Sequence, residues 1–95
     1  MSVTIAGIEF ANHSYDERGD VLYVDVDRYD GGDFSPHAWA SPEGHGLEFD
    51  ADWNVVAMTL VNVKRLIDRD GDLRVTWPDG HVTHDGRAAV FAQAA

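Results

Sequence analysis

Histidines are the first residues in this chain whose type suggests chemistry. Among its 95 residues, five are His. They stand at His13, His37, His45, His81 and His84. Imidazoles and carboxylates can bind zinc without thiolates. Two residues three apart in sequence, such as His81 and His84, however, lie on opposite faces of a strand and converge only in a helix. The turn signal Asp79-Gly80 places His81 at the mouth of a hairpin, so we expect solvent-exposed side chains there. We predict no metal site and no cofactor.

Acidic side chains are abundant and raise the question of calcium. The chain has 17 Asp and Glu against 7 Lys and Arg, which gives a formal net charge of −10. Asp68, Asp70 and Asp72 alternate as calcium ligands can. Gly71, which lies between Asp70 and Asp72, is misplaced for a calcium-binding loop. Aligning it with the glycine of such a loop puts Leu66 and Trp77 at the first and last ligand positions. The segment therefore predicts a helix end followed by a glycine.

Catalytic nucleophiles have no recognisable context in this sequence. There is no Cys, and no serine lies in a Gly-x-Ser-x-Gly motif. Neighbouring carboxylates are expected by abundance alone and are not diagnostic of glycosidase-like chemistry. The glycines of PEGHGLEF precede a strand, whereas phosphate cradles precede a helix. We expect no enzyme and no catalytic residue.

The negative charge limits the classes of partner. Nucleic acid and anionic membranes are bound by clustered Lys and Arg, so neither is an expected partner. No stretch approaches the roughly 20 apolar residues of a membrane span, and the first residues lack the basic start of a signal peptide. We therefore expect a cytoplasmic protein. The charge suits association with a basic protein.

Two aromatic residues lie beside acidic ones, and for one of them, Trp53, burial within the monomer is hard to arrange. Trp53 falls in an acidic turn, and Tyr23 lies on the strand face that also carries Asp25 and Asp27. An aromatic and acidic face of this kind fits a dimer contact or a partner surface, and packing beneath a helix would explain it equally well. Tyr23, Asp25, Asp27 and Trp53 are the candidate partner or ligand surface.

Short strands must position these residues. Apolar alternation predicts strands at 3–5 and 8–10, on either side of a bulge or bend at Gly7, and at 22–26, 47–49 and 73–77. The run 55–61 is apolar on both faces and predicts a central strand. Asp-Gly pairs between the segments supply the turns.

Two further segments predict helices. Asn62 can cap a helix that buries three apolar side chains on one face and ends before Gly71. The alternative for residues 62–70 is a strand, with 64–69 paired in a hairpin; we favour the helix. In the tail, Asp85 can cap an Ala-rich helix. The expected fold is α+β, a small and mostly antiparallel β-sheet with one or two short α-helices in a single domain over residues 1–95.

Two stretches carry a pattern that extends this interpretation. YDERGDVLYVDV (15–26) has a Tyr-Asp start, an Asp before the strand and a Val-Leu-Tyr core. GHGLEFDADWNVVAMTLVNVKRL (44–66) continues with a glycine, two strands around an acidic turn, and an Asn before a helix. Over roughly residues 13–67 the chain resembles the bacterial domain-of-unknown-function 2283 family, and residues 68–95 look like an extension carried by some members. It departs from the pattern at Asp52-Trp53-Asn54, where the family usually has Asp-Gly, and at Thr59, where the family has an acid.

The resemblance implies a fold but no reaction, because the family has no assigned activity. Some members are encoded beside small toxin-like proteins, which implies an antitoxin-like role. We therefore predict a non-catalytic protein-interaction module that self-associates, as a homodimer, or binds a basic partner. The alternative is a small-molecule or metal-binding domain that uses His and Asp side chains.

Overall fold

The computed structural model describes residues 3–26 and 37–86. The elements, in chain order, are β1 (Val3–Ile5), β2 (Ile8–Phe10), β3 (Asn12–Asp16), β4 (Val21–Asp25), β5 (His37–Ala40), β6 (Gly46–Phe49), β7 (Val55–Val61), α1 (Val63–Asp70), β8 (Leu73–Thr76) and β9 (Val82–Asp85). Mostly antiparallel sheets with one helix in these ranges are compatible with the expected α+β class. Asp27 lies outside the described residues, and so does the expected tail helix from residue 87 onward; its expected cap, Asp85, is the last residue of β9.

A five-stranded antiparallel sheet forms the larger layer, in the order β3-β4-β7-β6-β5. The prediction of a central strand at 55–61 is confirmed by the place of β7 in this order. One face of the sheet is the core: Leu22 pairs with Leu60, and Val24 pairs with Met58. Met58 in turn pairs with Leu47. All five side chains are at most 2% exposed.

The second layer consists of two hairpins and the helix, which contribute to the same core. The side chains that they bury are Val3, Ile5, Phe10, Val63, Leu73, Val75 and Trp77. β1 pairs with β2, and β8 pairs with β9. The change of phase at Gly7 is a tight turn between strands, not a bulge within one. Ala6 and Gly7 have φ values of 54° and 79°, as the two central residues of a type I′ hairpin require.

The predicted helix at 62–70 is confirmed as α1, and the competing hairpin over 64–69 is wrong. Gly71 ends the helix with a φ of 83°, and its N–H donates to the carbonyl of Ile67 at 2.8 Å. The prediction that Asn62 caps this helix is wrong. Asn62 has a φ of 55° and makes no side-chain capping bond, because a capping side chain needs an extended backbone to turn back over the first turn.

Asp20, in the β3–β4 turn, caps α1 instead. Its Oδ1 accepts from the N–H of Lys64 at 3.0 Å, and its Oδ2 accepts from the N–H of Arg65 at 3.1 Å. The hydroxyl of Tyr15 donates to Oδ1 at 2.7 Å. Burial alone would raise the pKa of Asp20, but the bonds from Lys64, Tyr15 and Arg65 outweigh it and lower the pKa. One carboxylate therefore ties the first hairpin of the sheet to the helix.

Three strands were not predicted, namely β3, β5 and β9. β3 and β5 are the outer strands of the five-stranded sheet, and their side chains are mostly polar or small. Within residues 3–26 and 37–86, no helix is long and apolar enough to cross a membrane.

Candidate functional site: an aromatic groove

The turn between β6 and β7 presents Trp53 at the surface in a strained conformation. Trp53 has a φ of 65°, a left-handed conformation that costs a residue with a side chain about 1–2 kcal/mol. The residue is 54% exposed, as the sequence predicted for a Trp in an acidic turn.

Asp50 holds this turn. Its Oδ1 accepts from the N–H groups of Asp52 and Asn54, each at 2.9 Å, and its carbonyl accepts from the N–H of Trp53 at 3.0 Å. The bond from the Asn54 backbone is the largest influence on this carboxyl and, with the others, lowers the pKa of Asp50. The turn is therefore kept closed by a side chain that takes no part in the groove itself.

Two rings support the indole of Trp53. The His37 ring stacks on it with centroids 3.9 Å apart and an angle of 10° between the planes. The ring of Phe49 lies 5.5 Å away at a tilt of 46°. The indole is thus held by two neighbouring rings, although Trp53 as a residue is exposed.

The turn between β8 and β9 brings a second group of side chains to the same place. Trp77 is 7% exposed, and its indole N–H donates to Oγ1 of Thr83 at 3.0 Å. The ring of His81 lies parallel to that of Trp77, with centroids 5.6 Å apart. Asp79 Oδ1 accepts from the N–H of His81 at 3.0 Å and contacts its Nδ1. These bonds, the backbone one foremost, lower the pKa of Asp79.

Together the two turns form a groove of about 220 Å³. Its lining residues are Phe49, Trp53, Trp77, Pro78, Asp79 and His81. Phe49 is only 4% exposed and forms the base, since its ring lies near that of Trp53 and 6.5 Å from that of Trp77. Aromatic faces, a proline and one carboxylate can hold a flat or cationic group. We call these six residues the aromatic groove.

Tyr23 and Asp25, two of the predicted surface residues, lie elsewhere. Tyr23 is 45% exposed and pairs with Ser14 and Thr59 on the face of the sheet away from the core. Asp25 shares that face and accepts from Nδ2 of Asn12 at 2.8 Å. Trp53 instead contacts the core residue Phe49. The structure thus brings Tyr23 and Asp25 together, separates both from the aromatic groove, and does not describe Asp27.

The outer face of the sheet also carries a shallow depression of about 590 Å³. Its lining residues are Ala38, Trp39, Ala40, Gly46, Leu47, Glu48 and Thr59. Small side chains dominate this surface, and it offers fewer recognition groups than the aromatic groove.

The histidines are dispersed. His45 is fully buried, with Nδ1 accepting from the N–H of Val61 at 3.1 Å and Nε2 lying 3.0 Å from the carbonyl of Arg74. This pattern requires the neutral ring with its proton on Nε2, and burial lowers the pKa of His45. His84 pairs with Asp72 at 2.7 Å. In the described part of the chain, no three His, Asp or Glu side chains gather closely enough to hold a metal ion.

The sequence pointed to Trp53 as a surface residue and to His81 only as a candidate ligand of the alternative function, and it gave no indication of the other four residues of the groove. A signal was present, since both turns join a Trp to an Asp: Asp52-Trp53 and Trp77-Pro78-Asp79. The approach of the two turns could not be predicted, because it depends on how the β8–β9 hairpin lies over β6.

Comparison with known proteins finds no matching family model, no matching curated protein and no matching solved structure. The likeness to the 2283 family stays a prediction based on the motifs quoted above.

Proposed function

We propose that this protein is a non-catalytic interaction module that binds a basic protein partner through the aromatic groove. The exposed and strained Trp53 is the observation that carries the proposal. A Trp residue that is 54% exposed stabilises the fold less than a buried one. A backbone outlier with an exposed aromatic ring is better explained by contact with another molecule.

The charge of the chain favours a basic partner. The net charge is −10, Asp79 lies in the groove, and Asp50 and Asp52 flank Trp53 in the turn. A negative field of this kind accelerates the approach of a positively charged protein and disfavours acidic ones.

The chemistry of the groove supports binding more than reaction. Its lining offers ring faces, an imidazole and one carboxylate, and the carboxylate is already bonded to the His81 backbone. An antitoxin-like role, in which the partner is a small basic toxin-like protein, is one form of this proposal. Membership of the 2283 family, proposed from motifs alone, is compatible with it.

A second candidate function uses the same place. The contact between Asp79 and His81 lies in the groove, so a small ligand or a metal ion could engage both side chains. Thermal melts with divalent cations and with a chelator test this candidate, because a ligand that binds the folded state raises the melting temperature. No shift with any cation would exclude the metal form.

Capture of partners from the organism that encodes the chain tests the main proposal. Tagged wild-type protein is compared with Trp53→Asn, which keeps a residue suited to positive φ, and with Tyr23→Asn as an exposed aromatic control on the other face. We expect a stoichiometric basic protein with the wild type and Tyr23→Asn, and its loss with Trp53→Asn. Loss with Tyr23→Asn alone would assign the interface to the outer face and contradict the proposal, and so would a stoichiometric partner that is not basic.

A further inference from the structure

We infer that the aromatic groove is a receptor for one arginine side chain of the partner. This inference rests on the proposed function and specifies the group that the groove recognises. It follows from three features of the groove: the flat walls, the carboxylate and the volume.

The walls suit a guanidinium group. Cations are attracted to the faces of aromatic rings, most strongly to Trp, and Arg is the more frequent partner. A guanidinium is planar and weakly hydrated, so it can stack on a ring, whereas an ammonium is compact and strongly hydrated. Trp53 is an exposed residue whose indole is stacked against the His37 ring on one face, so its other face is the one offered to a ligand. Phe49 and Trp77 continue the aromatic surface.

Asp79 supplies the opposite charge. Its contacts with the N–H and Nδ1 of His81 are both made by Oδ1, so Oδ2 is the oxygen that can accept from a ligand. A carboxylate that is fixed at one oxygen is oriented before the ligand arrives, and charge-assisted bonds to guanidinium are among the stronger hydrogen bonds in proteins.

The volume of the groove fits a single side chain. About 220 Å³ is below the roughly 300–1,000 Å³ of pockets that take drug-sized ligands. A second copy of this chain is a poor source of the arginine, because two chains of net charge −10 repel each other. We therefore assign the arginine to a basic partner.

Three capped tripeptides test the inference, each Gly-X-Gly with Arg, Lys or citrulline as X. Citrulline keeps the shape of arginine and lacks its charge. The readout is the indole N–H signal of Trp53 in ¹⁵N-labelled protein, titrated with each peptide. We expect saturable shifts with the Arg peptide and about fivefold weaker binding of the Lys and citrulline peptides, within the range of one cation–π contact.

Variants locate the binding. We expect Trp53→Asn and Asp79→Asn each to weaken the binding of the Arg peptide about fivefold or more. For Trp53→Asn, the readout is the indole signal of Trp77. Asp79→Asn keeps the oxygen that accepts from His81. Asp68→Asn removes the same charge from the exposed surface of α1 and is expected to leave the affinity within about twofold.

The inference would be overturned if the citrulline peptide or the Lys peptide bound as tightly as the Arg peptide. It would also be overturned if Asp79→Asn left the affinity for the Arg peptide unchanged. The result is separable from the proposed function. If Trp53→Asn loses the captured partner while the Arg peptide shows no preference, the inference fails and the proposed function stands. If the Arg peptide binds the groove but Trp53→Asn still captures the partner, the proposed function fails.

Discussion

Trp53 shows how one residue can be held against its own backbone preference. A turn residue with φ of 65° is ordinarily Gly, Asn or Asp, and here the bonds of Asp50 hold the turn around an indole. Since Trp53 is 54% exposed, its contacts with the rings of His37 and Phe49 return only part of what a fully buried Trp would contribute.

Two substitutions at Trp53 separate the cost of its backbone strain from the loss of its ring contacts. Both Trp53→Ala and Trp53→Asn remove the ring, but Ala keeps the strain of positive φ and Asn relieves most of it. We expect Trp53→Asn to be more stable than Trp53→Ala by about 1 kcal/mol. Urea unfolding of the two variants measures the difference. If Ala is as stable as Asn, the turn is not strained in solution.

Asp20 is a second turn residue whose side chain stabilises the fold beyond its own turn, because it caps α1. Asp20→Gly keeps the positive φ of 55° but removes the acceptor for two helix N–H groups and for Tyr15. We expect it to lower the free energy of unfolding by about 2 kcal/mol.

The matched control is Asn62→Gly, which also keeps a positive φ and removes a side chain that caps nothing. We expect a change of less than about 0.5 kcal/mol. Equal losses in the two variants, measured by urea unfolding, would restore Asn62 as the cap.

The sequence indicated an exposed Trp53 because acidic neighbours make burial costly. It did not indicate the cap, because Asp20 and Lys64 are 44 positions apart. A local pattern can propose a capping residue only among its neighbours, and Asn62 was the neighbour of the expected type. Hydrogen bonds between a turn and a helix that are distant in sequence leave no such local signal.

At the scale of elements, His45 joins β7 to β8. Its ring accepts from the N–H of Val61 in β7 and donates to the carbonyl of Arg74 in β8. A protonated ring could no longer accept from Val61, so the connection between the layers requires the neutral form.

This connection makes stability depend on pH. Burial lowers the pKa of His45 below its usual 6.5. Below about pH 6.5 the unfolded chain binds a proton that the folded protein does not, so the free energy of unfolding falls as the pH falls, by up to about 1.4 kcal/mol per pH unit. Above that pH the contribution of His45 is fully present.

Urea unfolding between pH 7.5 and 5 checks this expectation, with His45→Gln as the non-titrating comparison. The wild type is expected to lose stability more steeply than the variant across this range. Parallel slopes would mean that His45 does not control the pH dependence.

Strand prediction succeeded where one face is buried and failed at the outer strands. β4 alternates Leu22 and Val24 against solvent-facing side chains, and this pattern is visible in the sequence. β3 pairs on one side only and has mostly exposed side chains, so burial imposes little alternation on it. Outer strands carry polar residues for this physical reason.

At the scale of the whole molecule, the groove exists because two layers meet. Both β5 and the turn that follows it are bonded to β8. In the turn, Glu43 accepts from the N–H and the hydroxyl of Thr76 at 3.0 and 2.6 Å. In β5, the indole of Trp39 donates to the Thr76 carbonyl at 3.0 Å. These bonds fix the hairpin that carries Trp77 beside the turn that carries Trp53. The sequence contained both turns, and only the packing of the layers shows that they form one surface.

The charge of −10 becomes informative once this surface is known. Much of the acidity lies in turns, where Asp serves backbone geometry, as Asp50 and Asp79 do. The same turns border the aromatic groove, so residues that close the turns also give the groove its negative field.

The salt dependence of affinity for the captured basic partner is the most direct test of the account. Purified complex is titrated at several ionic strengths from about 50 to 300 mM, a range over which the Debye length falls below about 10 Å. We expect the dissociation constant to rise about tenfold or more across this range. A dissociation constant that does not change with ionic strength would contradict it.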